Sequence, residues 1–331
     1  MSSPAHSDRL IRRLADGRFH SGARLADDLG VSRAAVWKKL RRLSADLGIP
    51  IDAVPGRGYR LARPLELLER STIEASLAPH VHARLDRLTL LSTTASTNAE
   101  ALAGIPDATG LARVWLAEHQ TAGRGRRGRQ WVSTFGENLY LSLAWRFELS
   151  MAGLAGLSLA AGVVLSEALR DLGVQGHSLK WPNDVLLGGR KLGGILVEAS
   201  GESGGPAAAV IGMGVNFRLS TSAAAAIDQP WASLEQLGGV QISRNQLAAR
   251  LVERLVAACA RYETHGLSPF LNDWKQHDGL RDREVRVQLG PRVIEGVYRG
   301  VAPSGAAIIE SEQGVSEYHA GEVSMRGADG L

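Results

Sequence analysis

The 331-residue chain is 44% hydrophobic and 22% charged, a balance that sustains buried cores and excludes a disordered chain. Its single cysteine, Cys259, excludes a disulfide scaffold and a cysteine-built zinc site. Charge is uneven: residues 1–63 hold 13 Lys/Arg against six Asp, a net of +7, while the remaining 268 residues carry 25 basic and 28 acidic side chains, a net of −3. That asymmetry predicts a polyanion-binding module joined to a part with other work. At about 150 residues per domain the length predicts two or three domains. No run approaches the roughly 20 apolar residues of a membrane span, and the N-terminus, with Asp8 and arginines at 9, 12 and 13, lacks a signal peptide's apolar stretch. The expectation is a cytoplasmic protein with no membrane partner.

In chain order, Leu10, Ile11 and Leu14 give a first helix face, and Ser21 can cap a second helix carrying Leu25 and Leu29. Gly30 turns the chain, and Ser32 can cap a third helix whose Val36, Leu40, Leu43 and Leu47 form one apolar stripe. Arg33, Lys38, Lys39, Arg41 and Arg42 then project from its other faces. Two β-prone runs flank Pro55-Gly56-Arg57-Gly58, a hairpin with a basic tip. Helix, turn, basic helix and hairpin together predict a winged helix-turn-helix over residues 1–66 that binds DNA through Ser32, Arg33, Lys38, Lys39 and Arg57. A helical bundle merely solvated by its cations is the plainer alternative.

Beyond a charged connector from Arg63 to Glu74, residues 80–272 mix strands and helices: strands at 88–91, 114–117, 138–145, 178–187, 192–199 and 207–215, and a long apolar helix over 154–172. The expectation is a mixed α/β sheet domain without strict βαβ alternation. Gly123-Arg-Gly-Arg-Arg-Gly128 has the form G-x-G-x-x-G, but it precedes an aromatic strand-like segment and no Asp follows until Asp171, against a dinucleotide fold. Its content is glycine mobility interleaved with Arg124, Arg126, Arg127 and Arg129, a loop expected to stay mobile until anions order it. An exposed basic loop is the alternative. In Lys180-Trp-Pro-Asn-Asp184, the Trp-Pro pair is expected to hold the backbone extended and fix Lys180, a cation among apolar neighbours that needs an anion. An exposed lysine beside a β-turn is equally open on these residues alone. No His pair at ligand spacing predicts a dedicated metal site, and no Gly-x-Ser-x-Gly elbow or paired carboxylates predict a hydrolase. From Glu284, short strands at 285–289, 293–301, 306–310 and 315–319 with glycine turns, Gly290-Pro291 among them, predict a small β-barrel over residues 276–331.

Taken together, Ser96-Thr-Asn98, Glu118 through Gly128, Lys180-Trp-Pro-Asn-Asp184, Lys191 through Leu196 and Gly214-Val-Asn216 resemble bacterial biotin–protein ligases that double as biotin operon repressors. Gly30 through Lys39 and Val54 through Tyr59 are similar to the winged helix of that family, so the likeness spans nearly the whole chain. The resemblance implies an α+β multidomain architecture: a winged helix, a central domain akin to class II synthetase and lipoate-ligase folds, and an SH3-like C-terminal barrel. It implies two steps: biotin and Mg²⁺-ATP give biotinyl-5′-AMP, and a lysine of the biotin carboxyl carrier protein of acetyl-CoA carboxylase then takes the biotin. By the same resemblance Ser96, Thr97, Asn98 and Gln120 hold biotin's head, with Arg124, Gly125 and Arg126 on the loop that closes over it. Lys180 sits between the biotin carboxylate and the α-phosphate, making Lys180, Arg124 and Arg126 the catalytic set, while Asn183 and Asn216 are ATP or Mg²⁺ contacts. Operator DNA with an inverted repeat and a homodimer promoted by biotinyl-AMP are the implied partners. The alanine-rich segment 220–231 departs from the family's adenylate-covering loop, although Trp231 is available to pack on adenine. A sensor-only repressor and a ligase for lipoate or another fatty acid are the competing classes. Retention of Lys180, Arg124 and Arg126 speaks against the sensor.

Overall fold

Two serines set the N-terminal module. In the computed structural model, which describes residues 4–202, 204–238, 242–289, 292–320 and 323–327, helices α1 (Pro4–Leu14), α2 (Gly22–Leu29) and α3 (Arg33–Leu47) open the chain. Ser21 Oγ accepts from Arg24 N–H and Ser32 Oγ from Ala35 N–H, both at 3.2 Å, so each hydroxyl satisfies a helix-start donor. Gly30, at φ +63°, ends α2 in the left-handed region. Leu10, Leu14, Leu25, Val36, Leu40 and Leu43 bury one core, so the stripe on α3 faces inward. Strands β1 (Ile51–Val54) and β2 (Gly58–Leu61) pair antiparallel around the Pro55–Arg57 tip, and His20 pairs with Tyr59 through both backbone bonds at 2.8 and 2.9 Å.

The central elements are α4 (Arg70–Ala75), α5 (Pro79–His82), β3 (Leu85–Leu91), α6 (Thr97–Ala103), β4 (Ala112–Ala117), β5 (Asn138–Phe147), α7 (Leu157–Asp171) and β6 (His177–Lys180). They continue through β7 (Asp184–Leu187), β8 (Arg190–Gly201), β9 (Ala207–Asn216), α8 (Thr221–Ala225), α9 (Arg244–His265) and α10 (Leu271–His277). Seven strands form one sheet in the order β3-β4-β5-β9-β8-β7-β6, parallel only between β3 and β4. Helices α7 and α9 cover one face and α6 the other. Helix α7 with its preceding turn has the length and apolarity of a membrane span, and two thirds of it is buried in this core. The core also takes in Leu68, Ile73, Leu77 and Val81, so it begins inside the segment expected to be connector.

Strands β10 (Arg283–Leu289), β11 (Arg292–Val301), β12 (Ala307–Ser311), β13 (Gly314–Tyr318) and β14 (Val323–Gly327) build an antiparallel sheet ordered β13-β12-β11-β10-β14. Strand β14 lies beyond the four strands expected here, and the expected Gly290-Pro291 turn lies outside the described residues. The expected closed barrel is not found: among the described residues no pairing joins β13 to β14. The sheet buries Val285, Val287, Tyr298, Ala307 and Ile309 in the central core, so the neighbouring domain covers its apolar side.

At the junction behind the wing, Arg244 and Glu118, each with only 4% of its side chain exposed, form an ion pair at 2.8 Å. Arg244 also donates to the Asn138 and Glu66 carbonyls at 2.6 Å, and the Glu66 carboxylate accepts from Arg244 N–H and Asn245 Nδ2 at the start of α9. Removing one partner leaves a buried charge uncompensated, so Arg244→Met is expected to destabilise the fold by about 3–5 kcal/mol. Chemical denaturation measures it; an unchanged midpoint would show that the pair does not hold the junction.

Candidate active site

The site begins with missing side chains. On the α6 face of the sheet, Gly212 and Gly214 of β9 and Gly194 of β8 expose bare backbone. A Cβ on Gly212 would overlap Asn98 Oδ1; one on Gly214 would lie 2.6 Å from the Trp131 ring and one on Gly194 3.0 Å from it. The N-terminus of α6 and the Trp131 indole therefore settle onto this floor, beside a cavity of about 550 Å³.

Ser96 occupies the cap position of α6 but makes no side-chain cap; Gln120 Oε1 does so instead, accepting from Thr97 N–H at 2.8 Å and Thr97 Oγ1 at 3.1 Å. The buried Ser142 hydroxyl bonds to Thr97 Oγ1 at 2.8 Å and Asn98 Oδ1 at 2.6 Å. Asn98 Nδ2 donates to Glu198 Oε2 at 2.7 Å. Thr97, Asn98, Gln120 and Ser142 thus orient one another at this end of the cavity, as discrimination of a polar ligand requires.

The arginine segment is a compact hairpin and not an open loop. Gly125 N–H bonds Arg129 O at 2.7 Å and Trp131 N–H bonds Gly123 O at 2.9 Å, with Arg127 at φ +57° at the bend. Arg126 donates to Asn183 Oδ1 at 3.3 Å and to the Ala320 carbonyl, which ties the hairpin to both the β6–β7 turn and the C-terminal sheet. Burial lowers the Arg126 guanidinium from its usual range, against the pull of Asp184.

Lys180 ends β6 and pairs across the hairpin with Asp184. Between them Asn183 N–H bonds Lys180 O at 3.1 Å, so the expected extended run is a tight turn, and its Trp181–Pro182 bond is cis. Lys191, which sequence reasoning does not select, reaches the same place: its ammonium lies 2.8 Å from Asp184 Oδ1 and 5.6 Å from the Trp131 ring centroid. Ser96, Thr97, Asn98, Gln120, Arg124, Gly125, Arg126, Lys180 and Asn183 all line this one cavity, joined by Trp131, Lys191, Asp228 and Met325 of β14. Asn216 does not: it is buried and donates to the Ala232 carbonyl at 3.1 Å, clipping the segment after α8 against β8. Trp231 also stays off the lining, its backbone bridged to Lys191.

Cations gathered opposite a polar pocket suit a small acid and a polyphosphate, and the comparisons agree. The chain is 42% identical to the bifunctional ligase/repressor BirA of Salmonella typhimurium and 40% identical to that of Escherichia coli, each match spanning 97% of both proteins. It belongs to the family of bifunctional biotin ligase/repressors. Family profiles match in three places: an HTH domain over residues 7–60, the biotin/lipoate A/B protein ligase family over 103–216, and the biotin protein ligase C-terminal domain over 282–326. The solved biotin protein ligase of Aquifex aeolicus in complex with biotin and ATP superposes with a TM-score of 0.59 at 27% identity, over 74% of this chain and 99% of that one.

In this ligase/repressor, the N-terminal candidates divide by exposure. Ser32 serves as a helix cap; Arg33 and Lys38 are exposed on α3 and Lys39 is half-buried. Arg57 is exposed at the wing tip with its guanidinium 4.1 Å from the Phe19 ring centroid. The floor gives a sharp test of the pocket. Gly212→Ala should displace the Asn98 amide and weaken biotin binding about tenfold or more, the loss expected for a buried polar contact. Titration calorimetry measures this, and an unchanged affinity would show that the Asn98 amide takes no part in binding biotin.

Proposed function

We propose that the chain activates biotin with ATP to biotinyl-5′-AMP, transfers biotin to a lysine of the biotin carboxyl carrier protein of acetyl-CoA carboxylase, and represses transcription when that adenylate accumulates. The observation that carries this is the cavity itself, which joins a neutral hydrogen-bonding end at α6 to a cationic end built by Arg124, Arg126, Lys180 and Lys191. A relative in Paracoccus denitrificans named biotin–[acetyl-CoA-carboxylase] ligase, 35% identical over 72% of this chain and all of its own length, supports the acceptor.

Ser96, Thr97, Asn98 and Gln120 bind the biotin head, leaving its carboxylate toward Lys180. A carboxylate oxygen attacks the α-phosphorus of ATP, the bond to the bridging oxygen breaks, and pyrophosphate leaves. Two anions meet and charge grows on phosphorus, so fixed cations lower the barrier by alignment and charge stabilisation. Lys180 contacts the carboxylate and α-phosphate, and Arg124 and Arg126 close over them. Mg²⁺ would arrive with the nucleotide, and Asn183 and Asp184, which line the cavity, would offer it oxygens. In the second step the acceptor amine attacks the acyl carbon and AMP departs. The five-stranded sheet is read as an SH3-like unit and the central domain as a relative of class II synthetases. The protein works in the cytoplasm.

On DNA, α3 presents Arg33 and Lys38 to the major groove and Arg57 touches backbone beside it. Biotinyl-AMP promotes a two-fold homodimer that reads an inverted repeat.

Two measurements test this. Lys180→Ala is expected to reduce biotin-dependent exchange of pyrophosphate with ATP by at least about a hundredfold, while far-ultraviolet circular dichroism stays native. Wild-type exchange would take Lys180 out of the chemistry. Replacing Arg33 and Lys38 by Ala should weaken operator binding and flatten its salt dependence by about one unit for each phosphate no longer neutralised, leaving exchange intact. Unaltered operator affinity would reject α3 as the DNA-reading helix.

A further inference from the structure

Lys180 stands between two neighbours that are both fastened to the C-terminal part of the chain. Before it, the Leu179 carbonyl accepts from Gly279 N–H at 2.8 Å, and Leu179 bridges to Asp278. Asp278 is itself fixed by Trp274 Nε1 at 3.2 Å and Leu280 N–H at 3.2 Å. Gly279 has no room for a side chain, since a Cβ there would meet Ser178 Oγ at 2.6 Å. After it, Trp181 is 1% exposed, and its indole N–H donates to the Gly305 carbonyl at 3.1 Å. Gly305 sits at φ +86° in the turn before β12, and a Cβ there would lie 3.1 Å from the Gly156 Cα at the head of α7. The lysine is thus carried on a hairpin of the central sheet, paired with β8, that is fastened on either side of Lys180 to the C-terminal part of the chain.

From this geometry we infer that Trp181 is a positioning residue: its hydrogen bond to Gly305 holds the Lys180 turn in register with the cavity, and so makes adenylation depend on the C-terminal sheet. The inference rests on the reading of Lys180 given above. An indole is suited to this place because its ring fills the core while its single N–H donor reaches a carbonyl of the neighbouring module. Losing the bond leaves the ring packed and the Asn183 bonds of the turn in place, but removes its tie to the C-terminal module. A displacement of about 1 Å at a reacting group costs on the order of a hundredfold in rate, and a partial one correspondingly less.

The test is biotin-dependent pyrophosphate–ATP exchange on the full chain, with Lys180→Ala run alongside. Trp181→Phe is expected to lower kcat about tenfold or more while the KM for biotin moves less than about twofold. Replacing Trp181 by 3-benzothienylalanine, which keeps the ring size and exchanges N–H for sulfur, reproduces that loss and covers the case in which the smaller Phe fails to fold. Gly305→Ala, which shifts the accepting carbonyl, lowers kcat too, and its effect does not add to that of the benzothienyl variant because both remove one bond. Wild-type kcat in the benzothienyl variant, a rise in KM alone, or full additivity with Gly305→Ala overturns the inference while leaving Lys180 in place. An active Lys180→Ala enzyme overturns both.

Discussion

Six cationic side chains, Arg124, Arg126, Arg127, Arg129, Lys180 and Lys191, face a single cavity of about 550 Å³, and holding them there is the constraint on which the site depends. Like charges at close range in a partly dry pocket repel, so each needs a countering group or a rigid seat. The structure supplies both. Asp184 pairs with Lys191, Asn183 and the Ala320 carbonyl take Arg126, and the 123–131 hairpin spends its backbone bonds on itself. The residual positive potential is what two substrate anions neutralise when they meet.

Seating these groups explains otherwise unrelated details of the sheet. Alternation along β9 puts Gly212 and Gly214 on the same face, with Gly194 beside them on β8, so three absent side chains make one floor. Trp131 lies on that floor under the Lys191 ammonium, and Asn98 lies on it between Ser142 and Glu198. The opposite face carries the bulk of the apolar core beneath α7 and α9. The division of labour between the two faces is therefore a division between packing and recognition.

What was legible in the sequence was local. Ser21, Ser32 and Gly30 announce helix ends by chemistry confined to a few residues, and the structure puts the helices there. The 123–128 and 180–184 motifs stand out because arginine beside glycine, and lysine beside tryptophan and proline, are costly without a purpose. Lys191 and Trp131 carry no such local mark: the β7–β8 hairpin brings Lys191 to Asp184, and Trp131 meets Gly214, far away in sequence, only in the folded domain. Asn216 misleads because a polar group ending a strand looks the same whether it meets a ligand or, as here, the Ala232 carbonyl. Barrel closure is illegible for a related reason: strand lengths and turns announce a sheet, but whether its edges meet depends on contacts far away in sequence, and among the described residues no pairing joins β13 to β14.

The segment after β4 shows how closely the two halves of the molecule are joined. Glu118 enters the buried pair with Arg244 and accepts from the backbone of Leu68 in the connector. Gln120 caps the helix that begins the polar pocket, residues 123–131 form the arginine hairpin, and Phe135 is buried in the winged-helix core beside Leu65 and Leu67. Eighteen consecutive positions thus serve the junction, the pocket, the arginine hairpin and the N-terminal module in turn. Gly136, at φ +68°, turns the chain back into β5 against Leu65, so the far end of the hairpin is held on both sides: by Phe135 in the N-terminal core and by the Thr134 N–H bond to the Tyr140 hydroxyl of β5 at 3.0 Å. The stretch between the arginine hairpin and β5 is therefore shared, its Phe135 ring packed in the winged-helix core and its Thr134 backbone bonded to the ligase sheet.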